Sequence, residues 1–289
     1  MSVNRNSSGE AFLYCQKTWL GGRIGEDLHE AQSSLTIDSR SHQAILEFNR
    51  SPVDQPALPI GRFVMTVTPE WLALLRSAVD SVGLEALAPK SHAERYSAVI
   101  KIDVQIGEQT IEKRYRTDQR DVTKQLQPLQ QLLNALQVQL FKHPESAIGI
   151  RVIEADEVDG LCFKLLISNI GKRPVLLADP RTANETSQHL AELKIAAAPV
   201  TLPGYTESQP EWQTLPLRPT QGRELGDQAD LLLQPGQQVA VLSEAFVPQP
   251  GITYGVDAIY LSYAGAAETD GIYRIRGGIF SDRLRVDPS

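Results

Sequence analysis

A glycine-rich stretch near the N-terminus is the first segment whose residue types could do chemistry. Gly21-Gly22-Arg23-Ile24-Gly25 would let backbone N–H groups approach a bound phosphate, because glycine has no side chain to block them. A dinucleotide site needs G-x-G-x-x-G in a strand–helix unit, and a P-loop needs G-K-[ST]; the sequence has neither. Glu26 and Asp27 follow directly, and their charges would repel a phosphate. We therefore interpret the stretch as a connector.

Carboxylate and histidine side chains are the groups that would hold a metal ion. The run EADEVDG at 154–160 supplies hard oxygen ligands of the kind calcium prefers, but its spacing does not match an EF-hand loop. The histidines are scattered and form no H-x-x-x-H or H-E-x-x-H pair: His29, His42, His92, His143 and His189. The sequence therefore predicts no metal ion and no cofactor.

Nucleophilic catalysis has little support in the sequence. Cys15 and Cys162 each lie among apolar residues, so we expect both to be reduced and buried. No G-x-S-x-G nucleophile elbow occurs. Whether the protein is an enzyme stays open, and the alternative is a hydrolase-like enzyme with its site at the domain junction, where pockets are common.

Composition sets limits on partners and location. The chain has 289 residues and a net charge of −7, and residues 151–289 hold 12 basic against 18 acidic side chains. That balance lacks the basic footprint of a nucleic-acid or anionic-membrane binder. No apolar run is long enough for a transmembrane helix, and the N-terminus lacks the pattern of a secretory signal. We expect a cytoplasmic protein that binds neither nucleic acid nor membrane.

The first half alternates strand and helix patterns. Strands are predicted at 33–38, 44–49, 62–68, 96–105 and 109–115. One helix is expected to begin at Thr68-Pro69-Glu70 and to end near Gly83, and a second to run from Pro128 to Phe141. This order predicts a two-layer α+β domain over residues 1–146, with an antiparallel sheet and both helices on one face.

The second half reads as short strands separated by turn residues. Strands are predicted at 147–155, 161–169, 174–179, 231–246, 254–263 and 271–286. In FKLLISNIGKRPVLLADP, residues 163–180, we interpret Asn169–Gly171 as a tight turn with Gly171 at positive φ. Little helical periodicity occurs after residue 150. The pattern predicts an antiparallel β-sandwich over residues 147–289.

The spacing Pro-Gly-x-x-Tyr at Pro250, Gly251 and Tyr254 adds to this interpretation. Together with the short punctuated strands, it resembles β-sandwich families of the immunoglobulin-like or fibronectin-like type. The resemblance implies a topology class only, and it implies no functional residue.

Two features of the second half are candidates for binding. Residues 199–219 contain five prolines together with Tyr205 and Trp212, and we expect an irregular connection there, because prolines cannot donate strand hydrogen bonds. Arg274 and Arg276 alternate with apolar residues, as Arg283 and Arg285 do, which places the arginines on one strand face. Such a face is either simply solvated or a surface for an anionic partner.

These observations favour a non-catalytic binding or assembly module that acts through protein–protein contacts of the β-sandwich domain. Its predicted binding residues are Tyr205, Trp212, Arg274 and Arg276. The partner would be another protein or a second copy of the chain. A carbohydrate-binding protein that uses exposed aromatic residues is a further alternative.

Overall fold

The computed structural model describes residues 13–20, 31–51, 57–83, 99–106, 109–116, 120–157, 160–182, 191–200, 212–218, 230–262, 268–269 and 271–287. The described chain is mostly β-strand with two helices. Its contacts define two compact units, one within residues 1–48 and 62–145 and the other within 49–61 and 146–289. The second unit thus includes a segment from the first half of the sequence. The domain boundary between residues 146 and 147 remains a prediction.

The strands of the first unit form a sheet in the order β6-β5-β1-β2-β3-β4. The strands are β1 (Leu13–Leu20), β2 (Ala31–Asp38), β3 (Gln43–Phe48), β4 (Ile60–Thr66), β5 (Val99–Ile106) and β6 (Gln109–Arg116). The pairs β1–β2, β1–β5, β2–β3 and β5–β6 are antiparallel. The predicted strands at 33–38 and 44–49, and those at 96–105 and 109–115, pair as two antiparallel hairpins. The sequence interpretation missed β1, which joins the two hairpins.

Local chemistry fixes the ends of helix α1 (Pro69–Val82). The Thr68 hydroxyl accepts a hydrogen bond from the backbone N–H of Trp71, proline opens the helix, and Gly83 ends it at φ 58°. These are the ends that the sequence predicts. Glu70 lies in the first turn, where its pKa is lowered by a hydrogen bond from a backbone N–H.

Helix α2 (Arg120–Leu140) begins earlier than predicted, and Pro128 lies inside it. Prolines often open helices, so the prediction started the helix at that residue. The apolar stripe extends one turn further back, because Leu126 is as completely buried as Leu129 and Leu133. Burial of that stripe offsets the hydrogen bond that proline cannot make.

Aromatic packing fills part of the first unit's core. The ring of Phe141, just after α2, lies 5.0 Å from that of Phe48 on β3 and 5.1 Å from that of Phe63 on β4, both edge to face. Leu46 and Phe63 are fully buried. Helices α1 and α2 contact each other, and α2 contacts β3.

The second unit has three groups of paired strands, ordered β13-β8-β7, β11-β10-β14-β17 and β12-β9-β16-β15, and β18 also pairs with β14. The strands are β7 (Pro144–Glu157), β8 (Gly160–Asn169), β9 (Val175–Ala178), β10 (Ala191–Pro199), β11 (Gln213–Leu215), β12 (Asp230–Leu233), β13 (Gln238–Leu242), β14 (Tyr254–Ser262), β15 (Glu268–Thr269), β16 (Ile272–Arg274), β17 (Gly277–Phe280) and β18 (Leu284–Val286).

Two expectations for this unit are corrected. The pairing is not wholly antiparallel, because β16 runs parallel to β9. The proline-containing segment is not irregular throughout, because residues 213–215 form β11 and pair with β10. No proline lies among those three residues, so their N–H groups remain available for the ladder. Tyr205 and the rest of 201–211 lie outside the described residues.

The turn after β8 depends on Asn169 rather than on Gly171. Asn169 is 1% exposed, and its side-chain oxygen accepts a hydrogen bond from the N–H of Gly171 at 2.8 Å. Its side-chain nitrogen donates to the carbonyls of Arg173 and Leu233, each at 2.9 Å. Gly171 does not adopt the positive φ predicted for it. The nearby Gly236 has a positive φ of 78°. The stretch is structural, and the amide of Asn169 closes its turn.

The segment from Asn49 to Ser51 extends the edge of β17. The N–H of Gly278 donates to the carbonyl of Asn49 at 2.8 Å, and the N–H of Ser51 donates to the carbonyl of Gly278 at 3.0 Å. Further along, the N–H of Ala57 donates to the carbonyl of Phe280 at 2.7 Å. We call residues 49–51 together with Ala57 the β17 strap; residues 52–56 are not described.

Candidate binding site

The predicted binding residues lie in different environments. Trp212 is 42% exposed and Arg274 is 8% exposed, whereas Arg276 is half-buried. Tyr205 lies outside the described residues. Trp212 therefore offers the accessible aromatic surface among the predicted residues whose side chains are described.

Register places Trp212 on the outward side of its strand group. Thr214 pairs with Ala196, which pairs with Asp257, so these residues share one face. The neighbours on the opposite face, such as Ile195 and Ala258, are buried. Trp212 lies two residues before Thr214, and side chains alternate along a strand, so it belongs to the outward face.

Arg283 reaches this face across a glycine. A Cβ on Gly255 would lie 2.7 Å from Cδ of Arg283, so the absence of a side chain there makes room for the arginine stem. The guanidinium carbon lies 5.0 Å from the centre of the Trp212 ring. The guanidinium also donates to both carboxylate oxygens of Asp257, from Nη2 at 2.9 Å and from Nε at 3.1 and 3.2 Å. We call these three side chains the Trp212 cluster.

The Trp212 cluster is ordered but only modestly stabilising. The hydrogen bonds from the guanidinium to Asp257 raise the pKa of Arg283. The Arg283 side chain is 58% exposed and that of Asp257 29% exposed, so solvent screens their attraction. An exposed cation–π contact contributes about 0.5–1 kcal/mol. These contacts orient Trp212 and Arg283 more than they stabilise the fold.

A second arginine lies beside the cluster. Arg285 pairs with Gly255 across β18 and β14, and it donates from Nε and Nη2 to Asp287, each at 3.3 Å. The Thr253 hydroxyl also donates to Asp287, and this bond, more than the one from Arg285, lowers the pKa of the carboxyl. The sequence pattern had paired Arg283 with Arg285, but nothing in it indicated Asp257 as a partner.

Arg274 is buried and belongs to a different ion pair. Its Nη1 and Nη2 donate to the two oxygens of Asp230, each at 2.5 Å. Asp179, whose side chain is fully buried, accepts two hydrogen bonds from the Arg181 guanidinium, at 2.6 and 2.8 Å. Both ion pairs lie at the end of β9, because Asp230 pairs with Ala178, the residue before Asp179. These arginines neutralise carboxylates within the fold.

Tyr260 on β14 lies next to these ion pairs. It is fully buried, and its hydroxyl donates to the carbonyl of Ala178 at 2.6 Å. Burial raises the pKa of Tyr260, and the nearby charges of Asp179 and Asp230 raise it further. The phenol is therefore held in its protonated form.

We expect this tyrosine to make the fold sensitive to alkali. Its folded pKa lies above the unfolded value of about 10, so its contribution to stability is present below about pH 10 and is lost as pH rises toward the folded pKa. Tyr260→Phe should lower the free energy of unfolding by about 1 kcal/mol at neutral pH and should flatten the alkaline decline. Denaturant titrations at neutral and alkaline pH measure both effects. An equally steep decline in the variant would contradict the assignment.

Cys162 is the buried, free thiol that the sequence predicts. Nη2 of Arg218 donates to its sulfur at 3.0 Å, and the thiol is 0% exposed. The side chain of Cys15 is not described. The thiol of Cys162 is thus buried where β8 packs into the fold.

In the described residues, no group of three or more His, Cys, Asp or Glu side chains converges to hold a metal ion. No described helix is long and apolar enough to cross a membrane. The chain matches no known family model and no curated protein. The candidate site therefore rests on its geometry alone. Trp212 is half-exposed, and Arg283 is held beside it on the outward face of β11, β10, β14 and β18.

Proposed function

We propose that the protein is a non-catalytic binding module whose second unit contacts a protein partner through the Trp212 cluster. The carrying observation is that Trp212, 42% exposed, lies against the Arg283 guanidinium, which donates three hydrogen bonds to Asp257. Tryptophan and arginine are the residues most enriched at the energetic centres of protein interfaces.

Preorganisation supports the proposal. A flexible tryptophan or arginine loses rotamer freedom when a partner immobilises it, and that loss weakens binding. In the Trp212 cluster, the carboxylate of Asp257 already holds the guanidinium of Arg283, and Gly255 leaves room for the stem of that arginine. The guanidinium in turn lies over the indole of Trp212. A partner would therefore meet an oriented apolar ring beside oriented hydrogen-bond donors.

We also infer that the second unit is a β-sandwich of the immunoglobulin-like or fibronectin-like type, spanning residues 147–289. The hydrogen bond from Tyr260 on β14 to Ala178 on β9 supports it, because that bond joins two of the strand groups. In such a sandwich, polar residues with a few exposed aromatics occupy the outer faces. The Trp212 cluster would then lie on an outer face.

Trp212→Ala tests the proposal. We expect partner binding to weaken by about thirtyfold or more, since truncation of an interface tryptophan typically costs about 2 kcal/mol or more. The free energy of unfolding should fall by less than about 1.5 kcal/mol, because the ring is half-exposed. Tagged wild-type and variant proteins are compared by quantitative crosslinking in cells, and by sedimentation velocity for self-association.

Leu232→Ala is the matched control, because Leu232 is 41% exposed and lies on β12, in a different strand group. Its crosslinked partners should be those of the wild type. Loss of several kcal/mol of stability in the Trp212 variant, with every partner retained, would mean that the tryptophan serves the fold alone and that the proposal is wrong.

A further inference from the structure

We infer that the partner segment that docks on the Trp212 cluster is an acidic peptide, whose carboxylates bind Arg283 and Arg285. This inference rests on the proposed function, because it assumes a protein partner at that cluster. It concerns the chemistry of the partner, which the exposure of Trp212 does not by itself define.

Arg283 and Arg285 keep N–H donors that the fold leaves open. Arg283 uses Nε and Nη2 to hold Asp257, and Arg285 uses the same two nitrogens to hold Asp287. Neither Nη1 group makes a hydrogen bond with any described residue, and neither does the indole N–H of Trp212. The Arg283 and Arg285 side chains are 58% and 70% exposed. The surface therefore presents exposed guanidinium N–H donors beside the carboxylates of Asp257 and Asp287.

The geometry of a guanidinium group favours a carboxylate as its partner. Its N–H groups are planar and match the two oxygens of a carboxylate, and such charge-assisted bonds are about twice as strong as neutral ones. Both arginines neighbour the same small residue, because Arg285 pairs with Gly255 across the strands and the stem of Arg283 crosses Gly255. A short segment can thus reach both arginines while an apolar side chain contacts Trp212.

A long polyanion is disfavoured at this surface. Asp257 lies within the cluster and Asp287 beside it, and the whole chain carries a net charge of −7. A nucleic acid would bring many phosphates against these charges, whereas a peptide places one or two carboxylates locally. Arg274, which the sequence singled out, does not contribute, because Asp230 binds both of its terminal nitrogens.

The test selects peptides from a random phage-displayed library on the full-length wild-type protein, with counter-selection on Trp212→Ala. We expect the enriched peptides to contain an excess of Asp and Glu beside an apolar residue. An enriched peptide is then synthesised with a fluorescent label, and its Kd is measured by anisotropy. Arg283→Gln should raise this Kd by about tenfold or more, and added salt should weaken binding.

Arg151→Gln is the matched control, because Arg151 is an exposed arginine on β7, in another strand group. It should leave the Kd unchanged. Replacing the peptide's Asp and Glu by Asn and Gln should weaken binding to Arg283→Gln less than binding to the wild type, since only Arg285 still binds a carboxylate in that variant. Circular dichroism of each variant confirms that the fold is retained.

Three results would overturn the inference. Peptides that depend on Trp212 but lack acidic residues, and that bind Arg283→Gln equally, would refute it and leave the proposed function standing. A DNA oligonucleotide that binds more tightly than any selected peptide and requires Arg283 would replace the peptide by a nucleic acid. Failure to select any peptide that depends on Trp212 would also refute it, and the crosslinking experiment then judges the proposed function separately.

Discussion

Asn169→Leu is expected to lower the free energy of unfolding by about 3–6 kcal/mol. The substitution leaves the Gly171 N–H and the carbonyl of Leu233 buried without their partner, and it also removes the bond to the carbonyl of Arg173. Each buried polar group that loses its hydrogen bond costs roughly 1–3 kcal/mol. Chemical denaturation of the variant and the wild type measures the difference.

Asn169→Asp separates the hydrogen bonds from side-chain size. Aspartate keeps an acceptor for the N–H of Gly171, but it replaces the donor with an oxygen that faces two carbonyls. The ionised form is therefore disfavoured in the fold, and the new carboxyl takes a folded pKa above its unfolded value of about 3.9. Its destabilisation should grow as pH rises from that value toward the folded pKa. A penalty that does not change with pH would contradict the assigned donor role.

Gly277→Ala should cost more than about 3 kcal/mol, because the β17 strap lies where a side chain would project. A Cβ on Gly277 would fall 1.6 Å from the carbonyl oxygen of Asn49, and the residue has φ 104°. Backbone cannot rotate away as a side chain can, so alanine must displace the strap. Overpacking and backbone strain each cost roughly 1–3 kcal/mol.

Gly251→Ala supplies the control for Gly277. Gly251 also has positive φ, at 76°, but a Cβ there would have no atom within 4 Å, so the change costs only about 1 kcal/mol of conformational strain. Amide hydrogen exchange adds a local readout, since the N–H groups of Gly278 and Phe280 bond to strap residues Asn49 and Ser51. Equal costs for the two alanine variants, with unchanged exchange at Gly278 and Phe280, would contradict the contact.

Several elements could be predicted because their causes are local. The ends of α1 follow from Thr68, Pro69 and Gly83, which act on neighbouring backbone groups whatever surrounds them. The β5–β6 hairpin follows from alternating apolar residues around a short turn. Strand β10 escaped prediction because Ala196, Ala197 and Ala198 carry little β preference, and its pairing with β14 stabilises it from far along the chain.

The candidate site shows the same division. The sequence by itself indicated Trp212 and the arginine pairs Arg274/Arg276 and Arg283/Arg285 as candidates. Residue type and alternation along a strand can be read directly from the amino-acid order. The sequence did not show which of these arginines is accessible. Arg274 pairs with Asp230 and its side chain is 10% exposed, whereas Arg283 pairs with Asp257, lies beside Trp212 and is 58% exposed. Those pairings join residues 26 to 44 positions apart, and only strand register brings them together. For the same reason, only the tertiary structure placed the β17 strap, whose contacts with Gly277 and Phe280 cross most of the chain.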